Sequence, residues 1–189
     1  MRPNNQIRLA ETEDLATLQR LAHQIWWPTY SDFLPHAQIE KMLAEFYTPE
    51  ALNAQMMAGH YFALWEKEGV PMGFVGFREK PSPELSPEPS PESSLDPRQD
   101  FSEEMNIMRI EKLYILPQCQ GSGAGTDLLA YVARAAAERG IRTLELNVNR
   151  DNPAVGFYLK KGFKIIEEVN IPYPPYVLND YIMQMEIVF

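Results

Sequence analysis

The chain has 189 residues, 45% hydrophobic and 11% aromatic, which supplies the apolar surface for one sizeable core and excludes global disorder. Its 17 Lys+Arg against 26 Asp+Glu give a formal charge of −9, so it lacks the basic footprint a nucleic-acid binder needs, and no stretch approaches the roughly 18 apolar residues of a membrane span. With Cys119 as the single cysteine and His23, His36 and His60 scattered, no intrachain disulfide or metal site is expected, and a reducing, cytoplasmic setting is.

The first residues carry no apolar signal segment, and a soluble, unprocessed protein is expected. Ile7 to Ala10 reads as a short strand. Thr12 and Asp14 supply a helix start before Leu15, Leu18, Leu21, Ala22 and Ile25, an apolar stripe at helical spacing that the segment Trp26-Trp27-Pro28-Thr29-Tyr30 is predicted to end. Two further helices are predicted over Pro35 to Phe46 and Pro49 to Met57. Tyr61 to Trp65 and Met72 to Phe77 read as strands joined through Lys67-Glu68-Gly69.

Residues 81–105 then change character, to a near-repeat of Ser-Pro-Glu that holds six of the 16 prolines and a net charge of −6. Such a segment cannot bury enough apolar surface to offset the entropy of ordering it, so a long, solvated, mobile hairpin insertion within one domain is expected. After it come a strand over Asn106 to Leu116, a glycine loop from Gly121 to Gly125 and a helix from Thr126 to Arg139 closed by Gly140. Thr143 to Val148 alternates as a half-buried strand, Asn152-Pro153 opens a helix that Gly162 stops, and Phe163 to Val169 and Tyr181 to Val188 are the last strands. The order predicts a single α/β domain spanning 1–189, with a mixed central sheet of about seven strands flanked by helices.

The informative block is Glu111-Lys-Leu-Tyr-Ile-Leu-Pro-Gln-Cys-Gln120-Gly-Ser-Gly-Ala-Gly125. A strand, a glycine-rich loop and a helix N-terminus in succession present unpaired backbone N–H groups at the positive end of a helix dipole, a place for phosphate oxygens. A P-loop would need Lys and Ser/Thr after the last glycine, where Thr126-Asp127 stand. A dinucleotide fingerprint would need its third glycine at Thr126. A plain tight turn is the remaining alternative.

Gln120-x-x-Gly123-x-Gly125, preceded by Leu113-Tyr-Ile-Leu-Pro117 and followed by Asn152-Pro-Ala-Val-Gly-Phe-Tyr158-Leu-Lys-Lys-Gly-Phe163, resembles the GNAT superfamily of acetyl-CoA-dependent N-acetyltransferases. The close resemblance covers roughly residues 107 to 165. It implies a GNAT fold and acetyl-CoA as co-substrate, with the pyrophosphate held by Gln120, Gly121, Ser122, Gly123, Ala124, Gly125 and Thr126. Leu113, Tyr114 and Ile115 would pair with pantetheine, and Tyr158 would face the sulfur. Asn152 and Lys160 are further cofactor candidates, although Asn152 also reads as a helix cap and Lys160 as a cation favoured near a helix C-terminus.

Counting by twos from Ile107 puts Arg109, Glu111, Leu113 and Ile115 on one face of their strand, provided no bulge shifts the register. A carboxylate there would have its pKa raised by desolvation and would suit a base for an ammonium substrate; an ordinary strand ion pair with Arg109 or Lys112 is the alternative. Glu111 also stands where polyamine-acetylating GNAT enzymes often carry a catalytic glutamate. Tyr158 is either a general acid for the departing thiolate or a core aromatic beside Phe157. Trp26, Trp27, Tyr30 and Phe33, with Tyr173, Tyr176 and Tyr181 beside Asp180, are candidates for an aromatic box around a cation, or for plain packing. Trp27, Tyr30 and Tyr176 are taken with Glu111 as the acceptor residues. The segments Ile25-Trp-Trp-Pro-Thr-Tyr30 and Asn179-Asp-Tyr-Ile-Met183 are similar to the bacterial PaiA-type polyamine acetyltransferases.

The expected activity is transfer of an acetyl group from acetyl-CoA to a primary amine by direct attack, with Glu111 as base, backbone N–H groups near Ile115 around the oxyanion, Tyr158 as acid, and no role for Cys119. The expected partner is a small-molecule amine, a polyamine first, with a homodimer left open and no nucleic acid or membrane. Protein N-termini or amino acids as acceptors, and a non-catalytic acetyl-CoA sensor, are the alternatives.

Overall fold

The computed structural model describes residues 5–80 and 107–188. Seven strands form one sheet in the order β1-β2-β3-β4-β5-β7-β6, with five helices on its two faces. Strands β1 (Asn5–Leu9), β2 (Tyr61–Lys67), β3 (Val70–Lys80) and β4 (Ile107–Ile115) run antiparallel, β4 is parallel to β5 (Thr143–Asn149), and β7 (Tyr176–Glu186) lies antiparallel between β5 and β6 (Lys164–Tyr173). The β2–β3 turn places Glu68 at φ 53° and Gly69 at φ 78°, the left-handed pair that a two-residue hairpin needs to match the strand twist.

One face carries α1 (Leu15–Tyr30), α2 (His36–Phe46) and α3 (Pro49–Met57). Leu18, Leu21, Ala22, Ile25 and Trp26 of α1 are buried with Ile39, Leu43, Leu52, Phe62, Leu64 and Phe74. Helix α1 ends within the segment Trp26 to Tyr30, at Tyr30, with Pro28 inside it. A proline costs a helix one N–H bond, and here the burial of Ile25 and Trp26 on one side of it and the Ser31 bonds to Trp27 O on the other outweigh that loss. On the opposite face α4 (Ala124–Ala137) buries Leu128, Leu129, Val132 and Ala136 against β4 and β5, next to α5 (Ala154–Lys160). Helix α4 starts two residues earlier than the glycine spacing suggested, and Gly140 at φ 71° stops it as expected.

The last two strands are longer than expected. They meet at a turn whose Tyr173 hydroxyl donates to Glu45 Oε2 at 2.7 Å, with Lys41 Nζ 3.7 Å from the ring centroid, so the hairpin tip rests on α2. The expected acidic insertion lies outside the described residues; its flanks, Lys80 and Ile107, are cross-strand partners. Among the described residues no helix is long and apolar enough to cross a membrane.

Candidate active site

Strand β4 carries the register shift that organises the site. Gly76 lies opposite Lys112 and Phe77 opposite Ile110, which leaves Glu111 as the extra residue of a β-bulge. The bulge corrects the predicted face. Met108 and Ile110 before it, and Leu113 and Ile115 after it, all pack into the core under α4, whereas Arg109, Glu111, Lys112 and Tyr114 turn toward the other side. Arg109 and Glu111 therefore share a face with each other, but not with Leu113 and Ile115.

Pairing of the parallel strands stops at Ile110 and Leu146. Beyond that point β5 continues beside β7 to Asn149 while β4 continues beside β3 to Ile115, so the two strands part around a cavity of about 820 Å³. Leu116 N–H is bonded to Met72 O on the β3 side, and strand alternation then directs the N–H groups of Ile115 and Leu113 into the opening. Tyr158 and Asn152, both 8% exposed, line the same cavity, together with Gln120, Gly121 and Gly125. Asn152 Oδ1 accepts from Ala154 N at 2.8 Å, the capping role its sequence position suggested. Burial pushes the Tyr158 phenol pKa up, so that it stays protonated.

At one end of the cavity the loop before α4 supplies backbone donors. Gly121 and Gly123 adopt φ 73° and 96°, and a side chain placed there would point into open space. The first helical bond runs from Asp127 N to Gly123 O, so the N–H groups of Ala124, Gly125 and Thr126 have no intrahelical partner and sit at the positive end of the dipole. Gln120 Nε2 reaches Ile115 O at 3.4 Å, tying the loop to the end of β4. These residues fit a diphosphate and a peptide-like arm entering the parted strands.

At the other end lie side chains. Glu111 Oε1 accepts from Arg78 Nε at 2.8 Å and Arg109 Nε at 3.2 Å. Burial raises its pKa, yet Arg109, Arg78 and Lys112 together outweigh that and hold it below the usual carboxylate value. The desolvation anticipated at Glu111 is thus present but overruled. Tyr47 and Tyr114 share a hydrogen bond of 2.8 Å, and burial raises the pKa of both phenols and of Tyr30. Trp26 closes this wall, 4.5 Å from Tyr30 between ring centroids.

Residues 19–163 match the model of the Acetyltransferase (GNAT) family. The chain belongs to that family. A Mycobacterium tuberculosis (strain ATCC 25618 / H37Rv) protein named as an uncharacterised N-acetyltransferase is 38% identical over 82 residues, 43% of this chain and 53% of that one; the chain spans about half the length of the mycobacterial relatives it matches. The spermidine N(1)-acetyltransferase of Thermoplasma acidophilum is 26% identical over 164 residues, 85% of this chain and 88% of the relative. The PaiA N-acetyltransferase of Thermoplasma acidophilum, solved in complex with coenzyme A, superposes with a TM-score of 0.72 at 23% identity, over 97% of this chain and 99% of that one, a likeness of fold.

Within the GNAT chain the sequence-derived residues divide. Glu111, Leu113, Tyr114, Ile115, Gln120, Gly121, Gly125, Asn152, Tyr158 and Tyr30 all line the cavity. Ser122, Gly123, Ala124, Thr126, Lys160, Trp27 and Tyr176 do not: Ser122 Oγ turns back to Cys119 O at 2.6 Å, Lys160 is exposed, Trp27 packs on His36, and Tyr176 stacks on Tyr173 at the hairpin tip. For Trp27 the reason is helical phase. Position 26 continues the stripe from Ala22, and position 27 turns away. The sequence reading left Arg78, Tyr47, Asn147 and Asp180 out of the site. Alternation along β7 was the usable signal for the last: Tyr181, Met183 and Met185 pack into the core, which puts Asp180 on the opposite, cavity-bearing face.

Proposed function

We propose that this GNAT chain is an N-acetyltransferase that moves the acetyl group of acetyl-CoA to a primary amine by direct attack, with a small cationic amine such as a polyamine as acceptor. The parting of β4 from β5, beside the α4 N-terminus and between Glu111 and Tyr158, carries the reading. Bound there, acetyl-CoA supplies an activated acyl thioester. The unpaired N–H groups at the start of α4 hold the diphosphate, and the β4 backbone from Leu113 to Ile115 orients the pantetheine arm in place of a β5 ladder.

Glu111 Oε2 has no hydrogen-bond partner among the described residues, while Oε1 is fixed by the two arginines. The free oxygen takes the ammonium proton of the acceptor, directly or through water, so that a neutral amine attacks. The N–H of Ile115 faces the oxygen that gains charge, and Tyr158, kept protonated by burial, donates to the leaving sulfur. The aromatic wall of Trp26, Tyr30, Tyr47 and Tyr114 suits the alkyl stem and charge of a cationic amine. The spermidine N(1)-acetyltransferase relative supports that acceptor class.

Free-thiol release from acetyl-CoA, measured across a panel of polyamines, amino acids and peptides, tests the reading. Amine-dependent release with diamines and polyamines ahead is expected. Release only with peptides or amino acids overturns the acceptor, and binding of acetyl-CoA without release for any amine overturns the activity in favour of a sensor.

A further inference from the structure

Three carboxylates line the cavity, Asp32, Glu111 and Asp180. Asp32 is exposed, and Glu111 is held at Oε1 by Arg78 and Arg109, with Oε2 assigned above to the reacting nitrogen. Asp180 is half-buried, and among the described residues it makes no ion pair. The two arginines near it spend their donors elsewhere. Arg150 gives Nε to the Asp180 main-chain oxygen, Nη2 to Val169 O and Asn170 Oδ1, and Nη1 to Glu168. Arg109 gives Nε to Glu111, Nη1 to Glu145 and Nη2 to Asn147 Oδ1. What remains near the Asp180 carboxylate is the Asn147 side chain, which favours its charged form, and the Tyr30 phenol of α1, close enough for its pKa to be raised by that charge.

A carboxylate partly withdrawn from water with no ion-pair partner is costly, and a cation brought by a ligand offsets the cost. Its pKa is raised by burial, against the weaker pull of Asn147, Arg109 and Arg150. Between the two acids lie Arg109 and Asn147: Glu111 accepts from Arg109, Arg109 donates to Asn147 Oδ1, and the Asn147 side chain favours the charged form of Asp180. The two acids stand on β4 and β7 with β5 between them, and because β4 and β5 part beyond Ile110 and Asp180 lies level with Asn149, their backbones are more than two ordinary strand spacings, roughly 10 Å, apart. Their side chains project from the same face into one cavity.

We infer that Asp180 is the specificity residue that pairs with a second, non-reacting ammonium of the acceptor, so that the substrate class is an α,ω-diamine or polyamine spanning Glu111 and Asp180. The inference rests on the acetyltransferase reading above and adds the residue that selects the second charge. Asp180 touches no group that reacts; it fixes where the distal nitrogen lies.

Steady-state thiol release, with 1,3-diaminopropane, 1,4-diaminobutane and spermidine each set against the n-alkyl monoamine of matching length, tests it in the wild-type chain and in Asp180→Asn. In the wild type the diamines exceed the monoamines in kcat/KM by about 10- to 100-fold. In D180N that ratio collapses toward one, the loss falling on KM, and Asp180→Glu restores part of it. Stabilisation by acetyl-CoA, read as a thermal shift, persists in D180N and shows that the variant is folded. A wild-type ratio near one, or a D180N ratio equal to the wild type's, overturns the inference. Absence of thiol release with every amine fails the acetyltransferase reading itself, a distinct result.

Discussion

The two ends of the cavity are built in different ways. The loop end works through the main chain: Gly121 and Gly125 line it, two glycines at positive φ set the turn, and the start of α4 beside it leaves three N–H groups without an intrahelical partner. The acceptor end works through side chains drawn from α1, α2, β3, β4, β5 and β7, including Glu111, Arg78, Arg109, Asn147, Asp180 and the tyrosines. On the proposed reading a phosphate-bearing co-substrate is held by backbone geometry, whereas the acceptor is chosen by charges whose balance depends on long-range packing. Changes at the first end should lower co-substrate affinity, and changes at the second should spare it.

The largest effect is expected at the acceptor end. Glu111→Gln lowers kcat by about 10²- to 10⁴-fold while leaving the thermal shift by acetyl-CoA intact. Because the arginines hold the carboxyl below its usual value, the wild-type rate should survive to pH values below the ordinary glutamate range and fall only as Glu111 takes up its proton. A loss of less than about fivefold would make Glu111 an ion-pair residue and no more.

Gly123→Val comes next and reverses the pattern. Its φ of 96° strains any β-branched residue, so the start of α4 must rearrange, and acetyl-CoA affinity should drop about 10- to 100-fold. Gly140→Val, at φ 71° on the far end of the same helix, is the matched control: it lowers stability but keeps the shift with acetyl-CoA. Equal loss in both variants would show that helix stability, and not the loop, sets affinity.

This division also explains what the sequence revealed. Gln120 to Gly125 is contiguous, and its glycine spacing is itself the geometry, so the loop end was legible along with the element order. The acceptor end was legible only in part. The Glu111 bulge is a mismatch between β3 and β4 that neither strand shows alone, and it inverted the predicted facing of Leu113 and Ile115. The arginine pairing that lowers the Glu111 pKa joins positions 78, 109 and 111 across two strands. Trp27 was preferred over Trp26 although helical phase from Ala22 favoured the latter, and Asp180 was seen only as a neighbour of tyrosines.

A smaller effect concerns stability. Lys112 is 9% exposed, hydrogen-bonded to Gln55 at 2.7 Å, and burial lowers its pKa to about 8. The unfolded chain keeps this proton up to about pH 10.4. Between those values the unfolded state binds more protons, so stability rises with pH there and is lost again as pH falls through 8. Urea midpoints between pH 7 and 10 should climb more steeply in the wild type than in Lys112→Met, by an amount on the order of 2–3 kcal/mol across the full window. Parallel curves would place the Lys112 pKa near its ordinary value.

The smallest effect is expected for residues 81–106, which lie outside the described residues. Lys80 and Ile107 face each other across the β3–β4 ladder, so a short Gly-Ser turn replacing residues 81–106 should close the hairpin and keep turnover within about twofold. A folded variant that has lost turnover would make that segment part of the acceptor end.

Ligand-dependent thermal stability of the wild-type chain, titrated with acetyl-CoA and in parallel with NAD, addresses the loop end and the parted strands together. The account predicts a saturable rise in melting temperature with acetyl-CoA, displaced to about 10- to 100-fold higher concentration in Gly123→Val, and none with NAD at equal concentration. No shift at millimolar acetyl-CoA, or an equal shift with NAD, would contradict it.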